Sequence, residues 1–144
     1  MFCDIVGSTE LRHSLGDARA DTWFAGFLDR IEEAVADVDG VVVKGLGDGV
    51  MAVFTSAGGA LDAAVAMQQR THTYGQLADV EPANLRVGVS IGDIATAGDD
   101  WNGMPVVMAA RLCTAAGPGE ILAADMVRAL AGNRCTHPMS PVGE

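Results

Sequence analysis

The stretch Val41-Val42-Val43-Lys44-Gly45-Leu46-Gly47-Asp48-Gly49-Val50-Met51-Ala52-Val53-Phe54 sets two β-rich runs on either side of a glycine-rich connection. Branched and aromatic side chains pack well on a pleated surface, so both runs favour strands. Asp48-Gly49 between apolar runs is a strong hairpin signal, because tight turns between strands need residues that tolerate left-handed backbone. A hairpin in the middle of the chain is therefore expected, and the flanking segments are read around it.

Upstream, Phe2 to Val6 reads as a short buried strand. Gly7-Ser8-Thr9 breaks it, with Ser8 or Thr9 placed to cap a following turn. Trp23 or Phe24, then Phe27, Leu28, Ile31 and Val35 recur at three-to-four-residue steps, which predicts an amphipathic helix over roughly residues 18 to 37, ended by Asp39-Gly40. Downstream, the Ala-rich segment from Ala57 to Gln76 reads as a second helix. Leu85, Val87, Val89 and Ile91 alternate with Arg86, Gly88 and Ser90, the period of a strand with one buried face. Gly92-Asp93 turns it. Asp99-Asp100-Trp101-Asn102-Gly103 reads as a polar loop. Pro105 suits the first turn of a helix running to about Ala116, stopped by Gly117-Pro118-Gly119. Ile121 to Leu130 reads as a short strand and a short helix, and the tail after Gly132 has no clear pattern. The order βαββαβ predicts an α+β sandwich of the ferredoxin-like type, a mostly antiparallel sheet with flanking helices.

At 144 residues the chain is the size of one domain, and an apolar content of 49% is enough for a core. Acids outnumber bases 19 to 9, for a formal charge of −10. Lys and Arg form no cluster, and aromatic residues are only 5%. These features exclude a nucleic-acid-binding face, a base-stacking RNA module and attraction to an anionic membrane. No apolar run reaches the ~20 residues that span a bilayer, and the first residues lack the basic start and apolar stretch of a secretory leader. Cys3, Cys113 and Cys135 lack CxxC spacing, and His13, His72 and His137 are scattered, which argues against zinc and for free thiols in a reducing compartment. The expected location is cytoplasmic.

Two segments join carboxylates to glycine: Asp4-Ile5-Val6-Gly7-Ser8-Thr9 at a strand end and Gly47-Asp48-Gly49 at the hairpin tip. Alone, Asp48 reads as a turn residue and Asp4 as a helix cap. If their strands are neighbours, both carboxylates project at one edge of the sheet. Paired carboxylates among small residues suit hard cations such as Mg²⁺, and glycine lets backbone N–H groups approach phosphate.

Phe2-Cys3-Asp4-Ile5-Val6-Gly7-Ser8-Thr9, Lys44 through Phe54, Gly98-Asp99-Asp100-Trp101-Asn102-Gly103 and Ala109-Ala110-Arg111-Leu112, in that order, closely resemble the class III adenylate/guanylate cyclase catalytic domain. The resemblance covers nearly the whole chain. It implies conversion of a nucleoside triphosphate to a 3′,5′-cyclic monophosphate and pyrophosphate, with the ribose 3′-oxygen attacking the α-phosphorus. Asp4 and Asp48 match the two metal-binding aspartates and the Ile5 carbonyl a backbone ligand, for two Mg²⁺ (or Mn²⁺) ions. Amides along Val6, Gly7, Ser8 and Thr9 match the phosphate contacts. Lys44 and Asp100 match the base-selecting pair in its adenylate form, with Lys donating to adenine N1 and Asp accepting from the exocyclic amine, which favours ATP. Asp100 is preferred to Asp99 because it lies eleven residues before Arg111. Arg111 matches the arginine that neutralises triphosphate charge in the transition state.

The resemblance further implies a head-to-tail homodimer with shared sites at its interface. Lys44 and Asp48, four residues apart, would then serve different sites. Two departures stand out. Val107 occupies the position where the family has a ribose-orienting asparagine, and no lysine follows Lys44, where the family has a phosphate-binding one on a later strand. The chain is expected to be a single catalytic domain, residues 1–144, cropped at both ends. The alternative reading is a cyclase-like module that binds nucleotide or only dimerises, and regulates an attached domain.

Overall fold

The computed structural model describes residues 1–45, 47–77, 84–98 and 100–143. Leu46 and Asp99, named above, lie outside the described residues. The described residues form seven strands, β1 (Phe2–Ile5), β2 (Val41–Gly45), β3 (Gly49–Val53), β4 (Leu85–Val89), β5 (Ala95–Ala97), β6 (Asp100–Asn102) and β7 (Ile121–Ala123), together with five helices. The helices are α1 (Ser8–Leu15), α2 (Asp17–Ala36), α3 (Ala57–Leu77), α4 (Met104–Ala115) and α5 (Asp125–Ala131). The main sheet has the order β2-β3-β1-β4-β7, antiparallel except for the β4–β7 pair, and β5 and β6 form a separate two-stranded ribbon. This is the expected α+β architecture. No helix among the described residues is long and apolar enough to cross a membrane.

The period-two pattern of β4 sorts the sheet's two faces. Leu85, Val87 and Val89 are buried in the main core with Phe27, Ile31 and Met67 from α2 and α3. The alternate position, Gly88, faces α4: a Cβ there would lie 2.2 Å from the Ala109 carbonyl oxygen and 2.3 Å from the Cys113 nitrogen. Only a missing side chain lets α4 seat this closely on the strand. Arg86 and Asp4 share the parity of Gly88 and Phe2, so they belong to the α4 face.

Three expectations are corrected. The Gly7-Ser8-Thr9 break opens a helix of its own, α1, whose N-cap is Gly7 in left-handed backbone (φ 73°) with no side-chain cap. The Ser8 hydroxyl is drawn away to the Asp48 carboxylate, which is the stronger acceptor because it is charged. Residues 100–102 are a strand rather than loop: Thr96 pairs with Trp101 and Ala97 with Asp100. A pair of three-residue strands is too short for a periodic signal to show. In the tail, Gly132–Arg134 makes one 3₁₀ turn, and no regular element follows in the described residues.

Candidate active site

Register brings the carboxylates together. Asp4 on β1 lies opposite Gly49 on β3, so Asp48 sits one residue beyond that pair. The Ile5 N–H donates to the Asp48 carbonyl at 3.1 Å, fixing the turn against the end of β1. Gly49 is required sterically: a Cβ would meet the Cys3 carbonyl oxygen at 2.1 Å and the Asp4 Cα at 2.9 Å. The glycine after Asp48 therefore allows β3 to press against β1 where Asp4 stands. Gly47 lies at φ 76°, in the left-handed region the turn needs.

Asp4 is flanked on its other side by β4, where Arg86 is its direct partner in register. Arg86 Nε donates to Asp4 Oδ1 at 2.9 Å and its terminal Nη2 to Oδ2 at 2.8 Å, a two-pronged grip on both carboxylate oxygens. The Asp4 carboxylate holds the Arg86 guanidinium above its ordinary pKa, first through these hydrogen bonds, with a further contribution from the Asp48 charge. Beside them the Cys113 thiol, on α4, donates to the Arg86 carbonyl at 3.5 Å. Burial, reinforced by the Asp4 charge, pushes that thiol up to about 11.

The α1 N-terminus faces this cluster through Ser8. The Leu11 N–H makes the first helical bond, to the Gly7 carbonyl at 3.0 Å. The N–H groups of Ser8, Thr9 and Glu10 precede that bond and have no carbonyl one turn back within the helix. The Val6 N–H, by contrast, donates to the Asn84 carbonyl at 2.9 Å. Of the four residues matched to phosphate contacts, Val6 thus has its donor engaged within the fold.

The second pair comes from farther apart in the chain. A bulge between Val42 and Lys44 shifts the register of β2 before Lys44, and bulges re-aim the side chains that follow them. Asp100 is carried by β6. Lys44 Nζ donates to Asp100 Oδ1 at 3.4 Å, across 56 residues of sequence. Asp100 Oδ1 also accepts the Trp101 N–H at 3.0 Å, which orients the carboxylate. Arg111 is exposed on α4, with Val107 one turn earlier and 44% exposed.

The donor set decides which metal fits. Among the described residues no three His, Cys, Asp or Glu side chains gather as a closed metal cage. Two aspartates remain, Asp4 on β1 and Asp48 in the turn that leads into β3, with small residues around them. Mg²⁺ is commonly held by one or two carboxylates, with waters and substrate phosphates completing its shell. Asp4 and Asp48 offer a donor set of this kind, one that fits a hard divalent cation.

Arg86 is the site residue that sequence reasoning missed. The signal was present: an arginine at the polar parity of a strand whose other face is fully apolar, on the same parity as a glycine. The alternation by itself assigns Arg86 only to the outer face of the strand.

The sheet order and the helix packing define the chain as an α+β domain of the nucleotide-cyclase fold. No protein-family model matches it. It is 33% identical over 127 residues to an uncharacterized protein of Mycobacterium tuberculosis, covering 88% of this chain and 32% of that protein. It is 31% identical over 132 residues to a pH-sensitive adenylate cyclase of Mycobacterium tuberculosis, covering 92% and 32%. The chain thus spans about a third of the length of these curated relatives. Among solved structures, the adenylate/guanylate cyclase/hydrolase from Silicibacter pomeroyi superposes with a TM-score of 0.76 at 29% identity, covering 96% of this chain and 83% of that one. The solved structures it superposes on are class III adenylate/guanylate cyclase domains, and its relatives in sequence include adenylate cyclases.

Proposed function

We propose that this domain is an adenylate cyclase that converts ATP to 3′,5′-cyclic AMP and pyrophosphate, at sites shared across a homodimer. The observation that carries the reading is the Lys44–Asp100 pair, at 3.4 Å, formed by residues from two different hairpins. Lys44 Nζ has three donors and would keep two for adenine N1 while it holds Asp100. Asp100 would accept from the exocyclic amine through its second oxygen. Guanine presents a carbonyl and an N1–H at those places, so the same pair meets it with donor against donor and acceptor against acceptor.

Asp4, Asp48 and the Ile5 carbonyl would hold two divalent cations, Mg²⁺ or Mn²⁺. When bound, these would supply positive charge at the attacking 3′-oxygen and along the triphosphate. The N–H groups of Gly7, Ser8 and Thr9, at the positive end of α1, would receive phosphate oxygens. Arg111 from the partner subunit's α4 would neutralise charge that develops as pyrophosphate leaves. Ser8 would hold Asp48 in its rotamer through the hydroxyl-to-carboxylate bond. The domain's place is the cytoplasm, where ATP is abundant.

A second reading is a non-catalytic nucleotide-binding or dimerisation module. The observation that favours it is Val107, which offers no hydrogen bond where the family has asparagine. The test is cyclic-nucleotide production from ATP and GTP with Mn²⁺, at several protein concentrations, beside Asp48→Ala. Cyclic AMP that rises more than linearly with protein and vanishes in Asp48→Ala supports the cyclase. Bound ATP with no product, in a longer chain as well, supports the module.

A further inference from the structure

We propose that Arg86 is a built-in counter-ion that competes with the divalent cation for Asp4, so that the metal site stays closed until a cation displaces the guanidinium. The inference rests on the reading of Asp4 and Asp48 as metal ligands. It starts from an observation that reading does not use: both Asp4 oxygens are already occupied, at 2.9 and 2.8 Å, by one side chain of the same sheet.

The geometry is built rather than incidental. Arg86 and Asp4 are direct cross-strand partners, on neighbouring strands of a sheet whose register is fixed by the buried Leu85, Val87 and Val89 on the opposite face. A one-residue slip would bury Arg86 in the core, so the guanidinium cannot leave Asp4 by sliding the strand. It can leave only by rotating about its own side-chain bonds. Both partners are partly open to solvent, with side-chain exposures of 33% and 30%, so a path outward exists.

Charge explains the need. Without a cation, Asp4 and Asp48 place two negative charges at adjoining strand ends, and Arg86 is close enough to feel both. The guanidinium offsets that repulsion in the metal-free fold. A divalent cation does the same with twice the charge, but the two prongs take one lone pair on each Asp4 oxygen and the guanidinium charge repels a cation from those that remain. The two cannot both have full use of the carboxylate. Arg86 thus lowers the affinity for free cation, and a cation delivered with a triphosphate has the added contacts to overcome it.

The test is Mn²⁺ binding without nucleotide, read from the electron paramagnetic resonance signal of free Mn²⁺, in the wild type, Arg86→Gln and Arg86→Lys. Arg86→Gln is expected to bind Mn²⁺ about 10- to 100-fold more tightly, the span of one charge-assisted bidentate contact that exposure partly screens. Arg86→Lys, charged but unable to fork, should fall between. Metal-free Arg86→Gln should also melt earlier than the wild type and recover when Mn²⁺ is added. Equal or weaker binding by folded Arg86→Gln overturns the inference, because Arg86 would then support the site or be indifferent to it.

Should Arg86→Gln fail to fold, the wild type decides. Titration with Mg²⁺ is expected to expose the Arg86 Nε–H to solvent exchange, seen in the ¹⁵N spectrum of the arginine side chains. An Nε–H that stays protected at saturating Mg²⁺ overturns the proposal. A Mn²⁺ site absent from every protein, even with a non-hydrolysable ATP analogue, overturns the metal-ligand reading as well. A Mn²⁺ site lost in Asp48→Ala but indifferent to Arg86 overturns this inference alone.

Discussion

Gly49→Ala tests the claim that sterics, not phosphate contact, place a glycine after Asp48. The new Cβ would stand 2.1 Å from the Cys3 carbonyl oxygen and 2.9 Å from both Cα and Cβ of Asp4. None of these atoms is the free end of a flexible side chain, so the strands themselves must part. Restoring an ordinary carbon–oxygen contact of about 3.3 Å requires β3 to move by roughly 1 Å. That movement overpacks the seam, at about 1–3 kcal/mol. It also stretches the Ile5-to-Asp48 hydrogen bond, now 3.1 Å, at about 1 kcal/mol more. The expected loss is about 2–4 kcal/mol, or a fall in Tm of roughly 6–12 °C for a domain of this size. Because the movement separates Asp48 from Asp4, the cyclase rate should fall about 10²-fold in protein that remains folded.

Gly45→Ala is the matched control on the same hairpin. A Cβ there meets nothing within 4 Å, and its φ lies outside the left-handed region. Its expected effect is within about 0.5 kcal/mol of zero. Thermal melting followed by circular dichroism measures both variants. A Gly49→Ala protein as stable as the wild type, or a Gly45→Ala protein equally damaged, would refute the steric argument.

Mixing Lys44→Ala with Asp48→Ala, each inactive alone, should restore up to about a quarter of the activity if sites are shared between subunits, since only one of the heterodimer's two sites is intact. No recovery in a mixture shown by native mass spectrometry to contain heterodimer counts against shared sites. Val107→Asn should raise kcat with ATP by up to about 10²-fold, the worth of one oriented transition-state contact, with little change in Tm because Val107 is 44% exposed. An unchanged kcat removes ribose orientation from that position. The buried thiols set the alkaline limit of stability. Burial pushes Cys3 up to about 12 and Cys113 up to about 11, so the fold favours both thiols protonated. Their contribution is complete below the ordinary thiol range near 9 and is lost as pH rises through 11 to 12. The urea midpoint should therefore fall above about pH 9, and less steeply in Cys113→Ala than in the wild type. Parallel curves for the two proteins would contradict the assignment.

The fold was legible where a periodic pattern was long enough to register. Phe27, Ile31 and Val35 of the α2 stripe and Leu85, Val87 and Val89 of the β4 alternation are buried on the predicted faces, while Leu28 and Ile91, the latter beyond the end of β4, are half-buried. The hairpin was marked by turn chemistry at Asp48-Gly49. Legibility ended at two kinds of place. The three-residue strands β5 and β6 hold too few residues for any period, and their pairing comes from contact between chain segments rather than from local preference. The short helix α1 has a glycine at its N-cap, which carries no side chain to cap it, and the Ser8 hydroxyl that follows is taken by Asp48, forty residues away in sequence.

The site shows the same division more sharply. Motif spacing named Asp4, Asp48, Lys44 and Asp100 one at a time, but nothing in the spacing says what each touches. The register supplies it: the β1–β3 pairing sets Asp48 beside Asp4, and the β1–β4 pairing sets Arg86 on the other side. A carboxylate on a central strand has two cross-strand neighbours, and a sequence motif reports at most the nearer one in the chain. Asp4 and Arg86 are 82 residues apart, so their pairing becomes visible only once the order β3-β1-β4 is known. The neighbour that motif reading omits is the one whose guanidinium holds both Asp4 oxygens. The chemistry of a paired-carboxylate centre in this fold therefore depends on the strand beyond the motif as well as on the motif itself.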